Sequence, residues 1–236
     1  MEHIRHLLIP TGGLVVSCQA LPGEPMHGTS HMTAMALAAK TAGAAAIRAG
    51  LSDIPEIKRA TSLPVIGLVK RQYPGFEIYI TPTVQDAVRV GAAGADMVAI
   101  DATARPRPDG MDLRQTIKRL KAEGLQVMAD ISTYEEGQWA AAWGADCVST
   151  TLCGYTHETE NVQLPALDLL ERLARELDVP VAAEGGVQHP EQAAEALRRG
   201  AAFVVVGSAI TRPQWIAEQY IRAISAAAES HTGQRP

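Results

Sequence analysis

Val179–Arg212 reads VPVAAEGGVQHPEQAAEALRRGAAFVVVGSAITR. Val179 to Ala183 is a short apolar run that ends in Glu184, and Gly185-Gly186 follow at once. Glu191 to Arg198 has helical character and Gly200 stops it. Ala202 to Val206 is a second apolar run, closed by Gly207-Ser208. The pattern is strand, glycine turn, helix, strand, glycine turn, so two glycine turns stand at the ends of consecutive parallel strands. The backbone N–H groups of such turns can converge on one anion, as in the phosphate sites after strands 7 and 8 of (β/α)8 barrels. The plainer alternative is a pair of tight turns that need positive φ at glycine.

Outward from this stretch the same unit recurs. Apolar runs at 14–19, 45–48, 65–70, 96–101, 126–130 and 146–150 alternate with amphipathic segments at 29–41, 52–60, 83–91, 112–121, 134–143 and 167–177. Ser52 and Thr83 are the expected caps of the second and third helices, and Ile210 to Ala228 is the expected closing helix. Eight βα units in 236 residues predict a single (β/α)8 barrel over residues 1–228, followed by a polar tail at 229–236. The phrases AGAAAIRA, AGADMVAID, WGADCVST and RGAAFVVVG form a weak internal repeat, a glycine followed by a small-residue step into a strand. A doubly wound open sheet fits less well, because no GxGxxG opens a helix after a strand.

Composition narrows the function. Hydrophobic residues make up 47% and aromatics only 4%, which suits close packing of helices on a parallel sheet. The net charge of −5 and the lack of a basic, aromatic-interleaved patch argue against nucleic acid as a partner. No apolar run is long enough to span a membrane, and the opening MEHIRHLLIPTGGLVV does not read as a signal peptide. Cys18, Cys147 and Cys153 have no framework spacing and read as buried free thiols in a reducing cytoplasm. No HxH, HExxH or Cys/His ligand spacing points to a metal. The Ala-rich stretch 217–228 is a candidate homodimer surface.

In a barrel, chemistry gathers at the C-terminal ends of the strands. That rule selects Gln19, Arg48, Lys70, Asp101, Asp130 and Glu184. Of the five lysines, Lys40, Lys58, Lys118 and Lys121 fall in helical stretches and read as solvated. Lys70 alone follows an apolar strand, where desolvation lowers its pKa and suits it to act as a base or a Schiff-base amine; pairing with a carboxylate is its structural alternative. Glu184 precedes the Gly-Gly turn and reads as a general acid/base, as a binder of substrate hydroxyls, or as the buried partner of Arg48 or Lys70. Asp101 reads as structural. Arg48 and Arg212 suit an oxyanion or a phosphate.

These same residues carry a resemblance. VVSCQA (15–20), AAIRAG (45–50), PVIGLVKR (64–71), ITPT (80–83), DMVAIDAT (96–103), MADIST (128–133), STTLCGYT (149–156), PVAAEGG (180–186) and VVVGSAITRP (204–213) together resemble the N-acetylmannosamine-6-phosphate 2-epimerase family. The resemblance implies a (β/α)8 barrel that interconverts N-acetylmannosamine 6-phosphate and N-acetylglucosamine 6-phosphate in sialic acid catabolism, with a sugar phosphate as its partner and no metal or organic cofactor. It implies Lys70 and Glu184 as catalytic residues and Gln19, Arg48, Asp130 and Arg212 as substrate-binding ones. It implies a phosphate site at Gly185, Gly186, Gly207 and Ser208. One departure stands out: many members follow the glutamate with Gly-Arg, where this chain has Gly185-Gly186. Two rivals remain at this stage, an aldolase-like Schiff-base enzyme on the same scaffold and a non-catalytic sugar-phosphate binder.

Overall fold

The computed structural model describes residues 8–232, and side chains as far as 229. Eight parallel strands close on themselves in chain order. They are β1 (Gly13–Cys18), β2 (Ala46–Gly50), β3 (Val65–Leu68), β4 (Met97–Asp101), β5 (Val127–Asp130), β6 (Cys147–Ser149), β7 (Val181–Ala183) and β8 (Phe203–Val206). The seam pairs Val15 with Val205 and Val16 with Val206. The intervening helices are α1 (Thr29–Thr41), α2 (Ile54–Thr61), α3 (Val84–Ala92), α4 (Leu113–Ala122), α5 (Tyr134–Ala142), α6 (Leu167–Glu176) and α7 (Pro190–Arg198). The single (β/α)8 barrel expected from the alternation is therefore present. The opening residues 1–7, on which the signal-peptide reading partly rests, lie outside the described residues. No described helix is long and apolar enough to cross a membrane.

The strands' two-residue period builds two apolar layers. One set, including Val15, Ala46, Ile66, Leu68, Met97, Ala99, Met128, Cys147, Ala182, Phe203 and Val205, fills the barrel. The alternate set, including Val16, Ile47, Val98, Ala129, Val148 and Val204, packs against the helices. Small residues govern the close approaches. A Cβ at Gly67 would come within 2.6 Å of Ala95 Cβ and Val90 Cγ1, and one at Gly137 within 2.6 Å of Leu173 Cδ2.

The internal repeat has a mechanical cause. Gly43, Gly94, Gly144 and Gly200 all hold φ between 94° and 103°, a left-handed conformation that turns the chain from a helix into the next strand. In the two GAD copies the aspartate ties the bottom of the barrel: Asp96 accepts from Val65 N and Asp146 from Val127 N, each at 2.8 Å. Lys58 and Lys121 pair with these aspartates, so they are not the solvated lysines the helical pattern suggests.

Other details also differ from expectation. Thr83 does cap α3, accepting from Asp86 N. Ser52 does not cap α2: Asp53 stands at the cap position, and Ser52 Oγ donates to Asp53 Oδ1 instead. The third strand stops at Leu68, and Lys70 forms an antiparallel bridge with Ile80 across the following loop. The closing segment is two helices, α8 (Ser208–Thr211) and α9 (Pro213–Thr232), because Pro213 lacks the N–H that a continuous helix needs. Helix α9 runs through the first half of the stretch read as a polar tail, 229–232; residues 233–236 lie outside the described residues.

Candidate active site

The inward parity of each strand carries a polar residue to the barrel's upper rim. Below it sit apolar side chains; one step of two residues further come Ser17, Arg48, Lys70, Asp101, Asp130, Ser149, Glu184 and Gly207. Of these, Ser17, Arg48, Lys70, Glu184 and Gly207 border one space, and Asp101, Asp130 and Ser149 are buried in the ring around it. A cavity of about 670 Å³ opens there, lined among others by Gln19, Arg48, Lys70, Thr151, Tyr155, Glu184, Arg212 and Trp215.

Arg48 stands at the centre. Its side chain has 1% of its surface in solvent, and Asp130 has none. Nη1 and Nη2 of Arg48 donate to Oδ1 and Oδ2 of Asp130 at 3.2 and 2.6 Å. Nη1 also lies 2.9 Å from Glu184 Oε2. A buried guanidinium in this position needs acceptors to offset the loss of hydration, and Asp130 foremost, then Glu184, holds the proton on Arg48 against the effect of burial.

Glu184 and Lys70 are shifted in opposite directions. Burial foremost, then the neighbouring Asp130, pushes the Glu184 carboxyl up to about 7, against the opposing pull of Arg48, of a hydrogen bond from Thr151 and of Lys70. Burial, followed by Arg48 and Arg212, lowers Lys70 from the usual lysine range, while Glu184 and Glu24 work the other way. The Lys70 side chain is exposed to the open cavity, so desolvation acts on it only in part. An amine drawn down and a carboxyl drawn up, in one cavity, form a pair suited to exchanging protons near neutral pH.

The two glycine turns meet at the same cavity. Gly185, Gly186, Gly207 and Ser208 all line it. Gly185 and Gly186 hold φ of 99° and 70°. A Cβ on Gly207 would lie 3.3 Å from Ser17 Cβ, so β1 and the turn after β8 are in close contact. Arg212 lies at this rim, 3.4 Å from Glu24. Gln19 donates to Ser17 Oγ at 2.8 Å.

Every residue selected from the strand ends therefore converges on the mouth, with two qualifications. Asp130 does not line the cavity; it lies behind Arg48. Asp101 accepts from Thr103 and Arg105 at 2.7 Å and supports the loop after β4, as its structural reading requires. Sequence reasoning missed Thr151, whose Oγ1 reaches Asp130 Oδ1 and Glu184 Oε2 at 2.8 and 3.1 Å. It also missed Tyr155 and Trp215. Counting in twos from Cys147 and Ser149 would have found Thr151; nothing local marks the other two. Among the described residues no three His, Cys, Asp or Glu side chains are grouped so as to hold a metal.

A family profile described as "Putative N-acetylmannosamine-6-phosphate epimerase" matches residues 32–226. The chain belongs to this family. It is 50% identical over 214 residues to the "Putative N-acetylmannosamine-6-phosphate 2-epimerase" of Clostridioides difficile (strain 630), covering 90% of this chain and 96% of that one. A relative described in the same words from Caldanaerobacter subterraneus subsp. tengcongensis is 51% identical over 212 residues, covering 89% and 90%. The structure of the N-acetylmannosamine-6-phosphate 2-epimerase from Clostridium perfringens superposes with a TM-score of 0.89 at 45% identity, covering 94% of this chain and 98% of that one. The epimerase-family match spans the strands that supply Arg48, Lys70, Asp130 and Glu184, together with both glycine turns.

Proposed function

We propose that this protein is a carbohydrate epimerase, an N-acylglucosamine-6-phosphate 2-epimerase, that interconverts N-acetylmannosamine 6-phosphate and N-acetylglucosamine 6-phosphate in sialic acid and amino-sugar breakdown in the cytoplasm. The observation that carries this reading is the pairing of Lys70 and Glu184, shifted oppositely, in one cavity whose rim holds two glycine turns. Membership of the family supplies the substrate.

The hydrogen at C2 becomes acidic when C1 is an open-chain aldehyde, because the electron pair left behind spreads onto the C1 oxygen. Neutral Lys70 takes that proton and becomes an ammonium. The resulting enolate oxygen needs preorganised donors, and Arg48 is the cation at the centre of the cavity. Return of a proton to the opposite face of C2 gives the epimer, from Lys70 itself or from a second group such as Glu184. Gln19 and Arg48 bind sugar oxygens, with Asp130 fixing Arg48. Gly185, Gly186, Gly207 and Ser208 hold the phosphate with Arg212, far enough from C2 that its binding energy serves to position the reacting carbon. These steps call on no metal or organic cofactor. The exposed Tyr220, Ile221 and Ile224 of α9 suit a homodimer surface, which sedimentation would test.

The deciding experiment incubates the protein with N-acetylmannosamine 6-phosphate in D2O with chelator and follows C2 by proton NMR. Appearance of the gluco epimer with deuterium at C2 is the expected result. Absence of conversion by a folded sample, or a borohydride-trapped adduct on Lys70, would replace this reading with the aldolase-like one.

A further inference from the structure

Thr151 Oγ1 makes three short contacts. It lies 2.8 Å from Asp130 Oδ1, 3.1 Å from Glu184 Oε2 and 2.8 Å from Ser149 Oγ. A hydroxyl has one hydrogen to give and two lone pairs to receive. If both carboxyls were ionised, Thr151 would donate to one and face the other lone pair to lone pair. With both ionised, the one Thr151 hydrogen is at best shared between them; all three contacts are full two-centre hydrogen bonds only when one carboxyl brings its own hydrogen.

The surroundings decide which carboxyl that is. Asp130 is fully buried and accepts from both Nη atoms of Arg48, which leaves it no need of a further hydrogen of its own. Glu184 meets Arg48 through Nη1 alone. The other charged or titratable groups facing Glu184 are Lys70, from the segment after β3, and Tyr155, from the loop after β6. We propose that Thr151 is a positioning residue that holds the site's one extra proton on Glu184: Thr151 donates to Asp130, and protonated Glu184 donates to Thr151, whose second lone pair accepts from Ser149.

A hydroxyl donating to Glu184 would favour its ionised form. Here that hydrogen is committed to Asp130 at the shorter distance. When Glu184 gives up its proton, the Thr151 hydroxyl is free to turn from Asp130, which keeps both Nη atoms of Arg48, to the newly charged Glu184. One charge-assisted bond is retained in either state, and ionisation costs the single neutral bond from Glu184 to Thr151. Burial of Glu184 against Asp130 favours the same protonated state. The catalytic consequence rests on the epimerase reading: at rest Glu184 is the acid of the pair and Lys70 the base.

The test titrates the side-chain carboxyl carbons by NMR in protein labelled with 13C-glutamate, using Glu184→Gln to assign the Glu184 signal. Thr151→Val keeps the shape and removes the hydroxyl; Thr151→Ser keeps the hydroxyl. The Glu184 midpoint is expected to fall by about half to one pH unit in Thr151→Val, the worth of one neutral hydrogen bond, and to return in Thr151→Ser. An unchanged or raised midpoint in Thr151→Val, or a serine variant that behaves like the valine one, overturns the proposal. Turnover measured in parallel should show a kcat loss of roughly tenfold with KM nearly unchanged for Thr151→Val. Because the titration needs no turnover, a wild-type protein that fails to epimerise would overturn the functional reading while the carboxyl signal still judges Thr151.

Discussion

Arg48 holds Asp130 through both Nη atoms inside the barrel, at 3.2 and 2.6 Å, where water reaches almost none of either side chain. These residues come from strands β2 and β5, 82 positions apart in the chain. Each is affordable in the interior only because of the other. Asp130→Ala should therefore destabilise the fold by roughly 3–5 kcal/mol, since a buried guanidinium loses its main partner. Urea unfolding would measure this, and a loss under about 1 kcal/mol would mean that water enters to take the place of Asp130. Arg48→Met leaves Asp130 and Glu184 without their cation. Its defect should shrink as the pH is lowered and the Glu184 carboxyl loses its charge.

Lys70 and Arg212 give a prediction about pH. Arg212 is one of the two cations that lower Lys70. Removing it in Arg212→Gln should let the Lys70 ammonium persist to higher pH. The ascending limb of the rate against pH should then move upward, because turnover requires the neutral amine. KM should rise at the same time through loss of a phosphate partner. A KM change with an unmoved pH profile would show that Arg212 binds substrate without tuning Lys70. Lys70→Ala should lose turnover at every pH while keeping the circular dichroism of the parent.

Glu184 links the site to stability. Its carboxyl titrates at about 7 in the folded chain against an ordinary 4.5. A raised acid pKa contributes stability that is full below the unfolded value and is lost as the pH rises through the folded one. The difference corresponds to about 3 kcal/mol as an order of magnitude. Glu184→Gln cannot ionise and avoids that loss. The variant should match the parent near pH 4.5 and be the more stable of the two at pH 8. Urea unfolding at both values would show it, and equal pH dependence of the two proteins would mean that Arg48 compensates the ionised carboxylate completely.

The barrel and most of its mouth were legible because both depend on local pattern. Left-handed glycines such as Gly144 and Gly200 punctuate most of the units, and a period of two along each strand decides which side chain reaches the rim. Lys70, Arg48 and Glu184 are visible by that rule alone. Thr151 obeys the same parity, but it lies beyond the end of β6 in a polar loop and looks like any turn threonine. What stayed hidden is pairing across the ring. The competition of Asp130 and Glu184 for Arg48, or the placing of Asp130 behind the cavity wall, follows from barrel closure and not from any neighbouring residue. Tyr155 and Trp215 reach the mouth from a loop and from α9, where no periodicity constrains direction. The split of the closing segment into α8 and α9 is signalled only by Pro213, within an apolar run that otherwise reads as one continuous helix.

Gly186 is the position at which the sequence departs from the Gly-Arg that the family resemblance leads one to expect. Its φ is 70°, and a Cβ built there would lie 2.4 Å from Leu164 Cβ. An apolar side chain, Leu164, packs against the glycine turn. Gly186→Arg should not simply restore a phosphate ligand. It should destabilise the protein by roughly 1–2 kcal/mol or more through backbone strain and overlap, and it should raise KM by displacing the turn. Leu164→Gly combined with Gly186→Arg removes the overlapping side chain, Cβ included, and leaves only the strain. The double variant should recover much of the lost stability and bind the sugar phosphate more tightly than the single one. If Gly186→Arg alone lowers KM with an unchanged melting temperature, the turn is soft enough to move away from Leu164, and the missing cation is the only consequence of glycine at this position.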